Sequence, residues 1–158
     1  MEKDTAIPIV LEVWQCTSEY AIIEQYDNNI HIRFKFWDNN QNEVADKTAL
    51  LVFNEVWELK YSRFNKTRYY PKEIELPHKR KSYYLKLLNS SWLQEEKNKR
   101  TNYDANWEKY DRREYNHYVF QNNSYYIEII ATDVEFKIES RVMYHENIWN
   151  APLPDVTE

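Results

Sequence analysis

Residues 116–131, NHYVFQNNSYYIEIIA, decide the fold. In residues 125–131 aromatic and aliphatic side chains recur at every second position, which is the period of a strand with one buried face. The pattern predicts an antiparallel hairpin with arms 117–121 and 125–131. The turn is placed at Asn122-Asn123, because Asn tolerates positive φ better than most residues. Ile130 adds an apolar residue to the second face, so we expect this arm in the middle of a sheet.

Residues 30–37, IHIRFKFW, alternate most regularly and predict a half-buried strand of an antiparallel meander, preceded by a turn at 27–29. The apolar face carries Ile30, Ile32, Phe34 and Phe36. The polar face carries His31, Arg33 and Lys35. This polar face is either solvated or binds an anion, and we favour the solvated face.

Residues 48–64, TALLVFNEVWELKYSRF, fit both a helical stripe and a strand. Aromatic and β-branched content favours a strand. Seventeen residues would extend for roughly 56 Å, too far for one straight strand in a small domain, so we expect a bend or bulge near Asn54-Glu55. Glu55 then either turns to solvent, which we favour, or is buried with a partner such as Arg63 or Arg68.

The other segments complete a single domain spanning 1–158. Further strands are predicted at 9–15, 18–26, 80–88 and 134–139. A short helix is predicted at 91–100, where Ser91 and Gln94 have capping-box spacing, and 102–115 forms a second helix or a structured loop. We expect mobile tails at 1–7 and 150–158. The predicted fold class is α+β, mainly β: a curled antiparallel sheet or a sandwich with one or two short helices.

The 158-residue chain has no glycine, although average usage predicts roughly 11. A Walker loop, a dinucleotide-binding turn and a G-x-S-x-G nucleophile elbow all need glycine, so these classes of site are excluded. Asn stands where glycine would be expected in turns, at Asn28-Asn29, Asn39-Asn40 and Asn122-Asn123.

The single cysteine, Cys16, cannot form an intrachain disulfide, which fits a reducing compartment. No apolar run reaches the 18 or so residues of a membrane span, and the N-terminus does not resemble a signal peptide. We therefore expect a cytoplasmic protein that does not associate with membranes.

None of the four histidines has metal-ligand spacing, so neither a metal nor a cofactor is expected. His117 begins the central hairpin among aromatic residues. We interpret it as a structural histidine in preference to a catalytic base.

Charge is segregated along the chain. Residues 60–113 contain 15 basic and 7 acidic residues, whereas the rest contains 6 basic and 19 acidic residues. The net charge of −5 disfavours nucleic acid, because nonspecific affinity for phosphate follows the net field. A basic protein partner fits the acidic stretches better. The acidic residues considered for binding are Glu43, Asp46, Asp133, Glu135 and Glu139.

Three segments within 49–131, ALLVFNEVWELKYSRF, YYLKLLNSSWLQE and NHYVFQNNSYYIEIIA, resemble a family of small uncharacterised bacterial proteins. The matching positions are Phe53, Val56, Arg63, Ser91, Trp92, Leu93, His117, Tyr118 and Ala131. The resemblance implies a mainly β domain and no established activity.

The favoured function is a non-enzymatic interaction module, for example an immunity-type protein that neutralises a basic toxin. The alternative is a small-molecule or enzymatic site in the sheet concavity, formed by Glu55, Arg63 and His117. The sequence leaves catalysis and the oligomeric state open.

Overall fold

The computed structural model describes residues 3–11, 13–15, 21–38, 40, 42, 44–63, 84–121 and 125–140. The strands, in chain order, are β1 (Thr5–Pro8), β2 (Trp14–Gln15), β3 (Ala21–Tyr26), β4 (Asn29–Phe34), β5 (Phe36–Trp37), β6 (Thr48–Asn54), β7 (Glu58–Ser62), β8 (Tyr84–Leu88), β9 (Asn116–Gln121), β10 (Tyr126–Ala131) and β11 (Asp133–Glu139). The helices are α1 (Ser91–Tyr103) and α2 (Trp107–Tyr110).

Two antiparallel sheets contain most of these strands. One has the order β1-β8-β9-β10-β7 and the other the order β11-β6-β4-β3, while β2 and β5 form a separate pair. The β9–β10 hairpin lies inside the five-stranded sheet, as predicted. Its register pairs Gln121 with Tyr126, so four residues separate the paired arms, where a two-residue turn was predicted. Asn122-Asn123 itself lies outside the described residues.

The two sheets pack face to face and share one apolar core. Phe34 of the four-stranded sheet contacts Phe120 of the five-stranded sheet at 5.2 Å between ring centroids, and Phe53 contacts Tyr118 at 5.6 Å. Aromatic pairs at this separation contribute roughly 0.5–1.5 kcal/mol beyond the area they bury. The predicted α+β class, mainly β, is confirmed. Of the two predicted arrangements, a curled sheet or a sandwich, the structure has two packed sheets, with two short helices.

The predicted bend near Asn54-Glu55 is a corner at which the chain passes between the sheets. Asn54 pairs with Asp133 in one sheet, and Glu58 pairs with Ile130 in the other. Three residues, 55–57, therefore lie opposite only two residues, 131–132. One strand thus has one residue more than its partner, as in a β-bulge. The segment predicted as strand or helix is thus two strands in different sheets.

Hydrogen bonds hold this corner together. Trp57 N donates to Ile130 O at 2.8 Å and Val56 N donates to Asn28 O at 2.7 Å. Thr132 donates to Asn54 O from both its backbone N and its Oγ1, at 3.0 and 3.1 Å. The backbone N–H groups that leave the ladder at the bulge therefore keep partners.

Helix α1 begins at Ser91, as predicted, but its N-cap lies one residue earlier than the capping box predicted. Ser90 is the N-cap and its Oγ accepts a hydrogen bond from Leu93 N at 3.0 Å. Ser91, the predicted cap, uses its N and Oγ to donate to the two carboxylate oxygens of Asp4, both at 2.7 Å. A carboxylate at a helix N-terminus also complements the helix dipole.

The N-terminal segment differs from its prediction. Thr5–Pro8 forms β1 and pairs with β8, whereas 1–7 was predicted as a mobile tail and 9–15 as the first strand. Ala6 packs in a small apolar cluster with Leu85 and Leu87, and this burial explains why the short strand is ordered. The predicted tail at 150–158 lies outside the described residues.

Among the described residues, positive φ does not coincide with the asparagines that stand where glycine was expected. The described non-glycine residues with positive φ are Asp4, Asp27, Glu55 and Asn89. Asn28, Asn29 and Asn40 are absent from this set. Asp27 is the first residue of the two-residue turn between β3 and β4, with φ of 50°.

The turn gives a stability prediction. We expect Asp27→Gly to be neutral or to stabilise by up to about 1 kcal/mol, because Gly reaches positive φ without steric cost, and Asp27→Val to destabilise by about 1 kcal/mol or more. Asn28→Gly is the matched control, since Asn28 has no positive φ to relieve. Urea unfolding measures all three. A larger gain from Asn28→Gly than from Asp27→Gly would contradict the assigned turn.

Candidate functional site

A serine, a histidine and a glutamate form a hydrogen-bonded chain between α1 and the five-stranded sheet. Ser90 Oγ lies 2.6 Å from His117 Nδ1, and His117 Nε2 lies 2.9 Å from Glu128 Oε1. The β9–β10 register brings the last two together, because His117 and Glu128 share the sheet face that α1 covers. A neutral imidazole satisfies both contacts if Nε2–H donates to the carboxylate and Nδ1 accepts the hydroxyl proton.

The order Ser–His–Glu is that of a nucleophile, a base and an orienting acid. The His117 side chain is 0% exposed, however, and Trp92 packs on it at 4.9 Å between ring centroids. Lys60 Nζ lies 4.0 Å from the centroid of the Trp92 ring and covers that side. A base with no exposed atom cannot hand a proton to a bound substrate. The geometry therefore supports the structural interpretation of His117, with its ring holding the cap of α1.

The residues proposed for a site in the concavity lie in different surroundings. Glu55 is at the bulge, 43% exposed, and its Oε2 accepts from Arg113 Nη1 at 2.7 Å. Of the two predicted alternatives, the structure shows displacement toward solvent. Arg63 follows β7 and is exposed, whereas His117 is sealed under α1. Arg68 lies outside the described residues.

Two adjoining cavities of about 550 and 570 Å³ flank α1. Both are lined by Lys97, Tyr115 and Asn116. Neither lining includes Glu55, Arg63 or His117. These cavities therefore do not join the three residues of the predicted concavity site.

A buried ion-pair cluster beside α1 was missed from the sequence. Asp111 Oδ2 accepts from Arg100 Nη1 and from Tyr115 Oη, both at 2.8 Å. Burial acts to raise the pKa of Asp111, but hydrogen bonds from Tyr115 and Arg100 outweigh burial and lower it. The Arg100 guanidinium also lies over the rings of Trp107 and Trp57, 4.4 and 5.1 Å from the centroids. Trp107, Asp111 and Tyr115 follow one another at intervals of four residues, but Arg100 and Trp57 lie outside that spacing, so only the tertiary fold reveals the whole cluster.

The polar face of β4 is neither solvated throughout nor open to an external anion at its centre. Arg33 is buried, with Nη1 donating to Glu24 Oε1 at 2.9 Å and Nε donating to Glu139 Oε2 at 3.1 Å. Two carboxylates of the protein therefore satisfy the guanidinium. Glu139, predicted as a surface binding residue, is an internal ion-pair partner.

Strand β11 carries the remaining acidic candidates at the edge of the four-stranded sheet. Asp133, Glu135 and Lys137 alternate along it and are exposed. Burial, and after it the nearby Arg33, lowers the pKa of His31, so this neighbour adds little positive charge at pH 7. Asp46 is also exposed, and Glu43 lies outside the described residues.

The described residues contain no group of three or more His, Cys, Asp or Glu able to hold a metal ion. Neither described helix is long and apolar enough to cross a membrane.

No protein-family model matches the chain, and comparisons with curated proteins and with solved structures find no significant match. Function therefore has to be inferred from the described residues.

The buried chain gives a prediction with a matched pair of serines. Ser90→Ala removes the cap and leaves His117 Nδ1 without that hydroxyl, so we expect a loss of about 2–3 kcal/mol in the free energy of unfolding. Ser91→Ala removes an exposed contact to Asp4 and should lose less than about 1 kcal/mol. Urea unfolding followed by tryptophan fluorescence measures both. Equal losses would show that Ser90 has no special role.

Proposed function

We propose that this protein is a non-enzymatic interaction module that binds a basic protein partner through the outer face of the four-stranded sheet at β11. The observation that carries the proposal is the exposed carboxylate of Glu135, with Asp133 two residues away on the same face. Exposed carboxylates on a protein surface steer a basic partner and raise its association rate.

The internal ion pairs define which charges a partner meets. Arg33 is neutralised by Glu24 and Glu139, so it presents little positive charge to the face. Lys137 is the exposed cation on β11. A partner that binds here is therefore attracted by Glu135 and Asp133 and repelled locally by Lys137.

The alternative of an enzymatic site in the concavity has less support. It requires Glu55, Arg63 and His117 to act together, yet His117 is fully buried and Glu55 pairs with Arg113 at the exposed corner. These contacts favour binding over catalysis.

The concrete form of the proposal is an immunity-type protein in the cytoplasm that neutralises a basic toxin, within a family of small bacterial proteins. Its support is the absence of a glycine-dependent catalytic motif, the single cysteine and the acidic stretches outside 60–113. A nuclease toxin is one chemically suitable partner, because its nucleic-acid site is basic.

The test is affinity capture from native cell extract with four immobilised baits: the wild type, Glu135→Lys, Lys137→Glu and Glu95→Lys. We expect Glu135→Lys to weaken capture of a basic protein roughly five- to tenfold at low salt. Lys137→Glu adds a negative charge to the same strand and should retain or strengthen capture. Glu95→Lys makes the same charge change as Glu135→Lys on an exposed face of α1 and should have no effect.

Raising the salt concentration should weaken capture, because screening at 0.15 M has a Debye length of about 8 Å.

Glu139→Lys is not a suitable test of the surface charge, since it would leave the buried Arg33 without one of its partners. Capture of the same proteins in equal amount by all four baits would contradict the proposal.

A further inference from the structure

Among the described residues, no strand pairs with the outer edge of β11. Within the described part of the chain, β11 is hydrogen-bonded to β6 alone, through seven continuous residue pairs from Asp133–Asn54 to Glu139–Thr48. The strand has no proline and its ladder with β6 has no bulge. An open edge of this kind, about 23 Å long, can pair with another strand.

The apolar side chains of β11 are incompletely covered. Val134 and Phe136 are only partly buried although they pack against the main core, and Ile138 is 48% exposed. A strand added at this edge would extend the sandwich and cover these side chains. The edge therefore offers apolar contact in addition to backbone hydrogen bonds.

The sequence of β11, DVEFKIE, is self-complementary when two copies run antiparallel. In a register centred on Phe136, Glu135 of one copy lies opposite Lys137 of the other, and the two-fold axis repeats this pair. Val134 lies opposite Ile138, and the two Phe136 residues face each other. Asp133 lies opposite Glu139, whose charge is compensated by Arg33 in its own copy.

Shifted registers pair fewer residues of β11. A shift that keeps charged side chains on one face moves the centre to Glu135 or to Lys137, which places two like charges directly opposite each other. Only the register centred on Phe136 pairs every residue of β11. In this register Lys137 lies opposite Glu135 of the second copy, whereas it would repel a basic strand from another protein. The edge therefore favours pairing with a second copy over pairing with a basic strand.

We propose that β11 forms a symmetric dimer interface in which two copies join edge to edge, centred on Phe136. The inference is independent of the proposed partner, because edge pairing uses the backbone edge of β11 and adds no element over the outer face of the four-stranded sheet. A seven-residue edge alone buries less than the ~1,000 Å² of a stable interface, so the dimer is expected to be weak and concentration-dependent.

The experiment is a charge swap followed by sedimentation velocity, from about 1 µM to about 500 µM protein. The wild type should pass from monomer toward dimer as concentration rises. Glu135→Lys and Lys137→Glu should each raise the dimer Kd roughly tenfold or more, because each turns two attractive pairs into two repulsive ones. The double variant E135K/K137E restores both pairs and should recover the wild-type Kd.

Circular dichroism of each variant checks that the fold is unchanged. A wild type that stays monomeric at all concentrations would overturn the inference. A dimer of equal stability in all four proteins would also overturn it, because another surface would then form the dimer. The two proposals can fail independently of each other. The dimer proposal predicts that Glu135→Lys and Lys137→Glu both weaken the dimer. The partner proposal predicts that Glu135→Lys weakens capture and that Lys137→Glu does not.

Discussion

The bulge at residues 55–57 is the constraint on which the architecture depends. Two long antiparallel segments, 48–62 and 126–139, pair along their whole length except at this corner, where three residues face two. Without the extra residue, the ladder would continue and both halves of the ribbon would remain in one sheet. With it, the ribbon contributes strands to both sheets, and the bond from Trp57 N to Ile130 O fixes the point of crossing.

The corner also separates two chemically different regions. Before the corner, β10 pairs with β9. There Glu128 and His117 face α1 and are hydrogen-bonded to each other. On the other side β11 continues as an edge strand with Glu135 exposed. One ribbon therefore carries a partly buried glutamate that stabilises the helix cap through His117 and an exposed glutamate that is available for binding. The two residues are both glutamates, so the difference in their burial decides the difference in their roles.

Much of the fold could be predicted because alternation is a local property. The β9–β10 arms, most of the strand predicted at 30–37 and the bend near Asn54 follow from spacing and length alone. The assignment of β6 and β7 to different sheets could not be predicted, since it depends on pairing with β11 and β10. The cap was placed one residue late because Gln94, three residues after Ser91, favoured Ser91 over Ser90 in the sequence. In the fold, the nearby His117 and Asp4 distinguish them.

The candidate site was harder to predict, because side-chain roles depend on partners distant in sequence. Glu135 and Glu139 look alike in β11, yet Arg33, 106 positions before Glu139, pairs with that residue. The pairing leaves Glu135 as the carboxylate whose charge an incoming molecule meets. The Glu135 carboxylate can have two neighbours. One is a basic group of a partner protein above the sheet face, and the other is Lys137 of a second copy beside the edge. These directions are perpendicular, so partner binding and self-association need not compete for the same backbone groups.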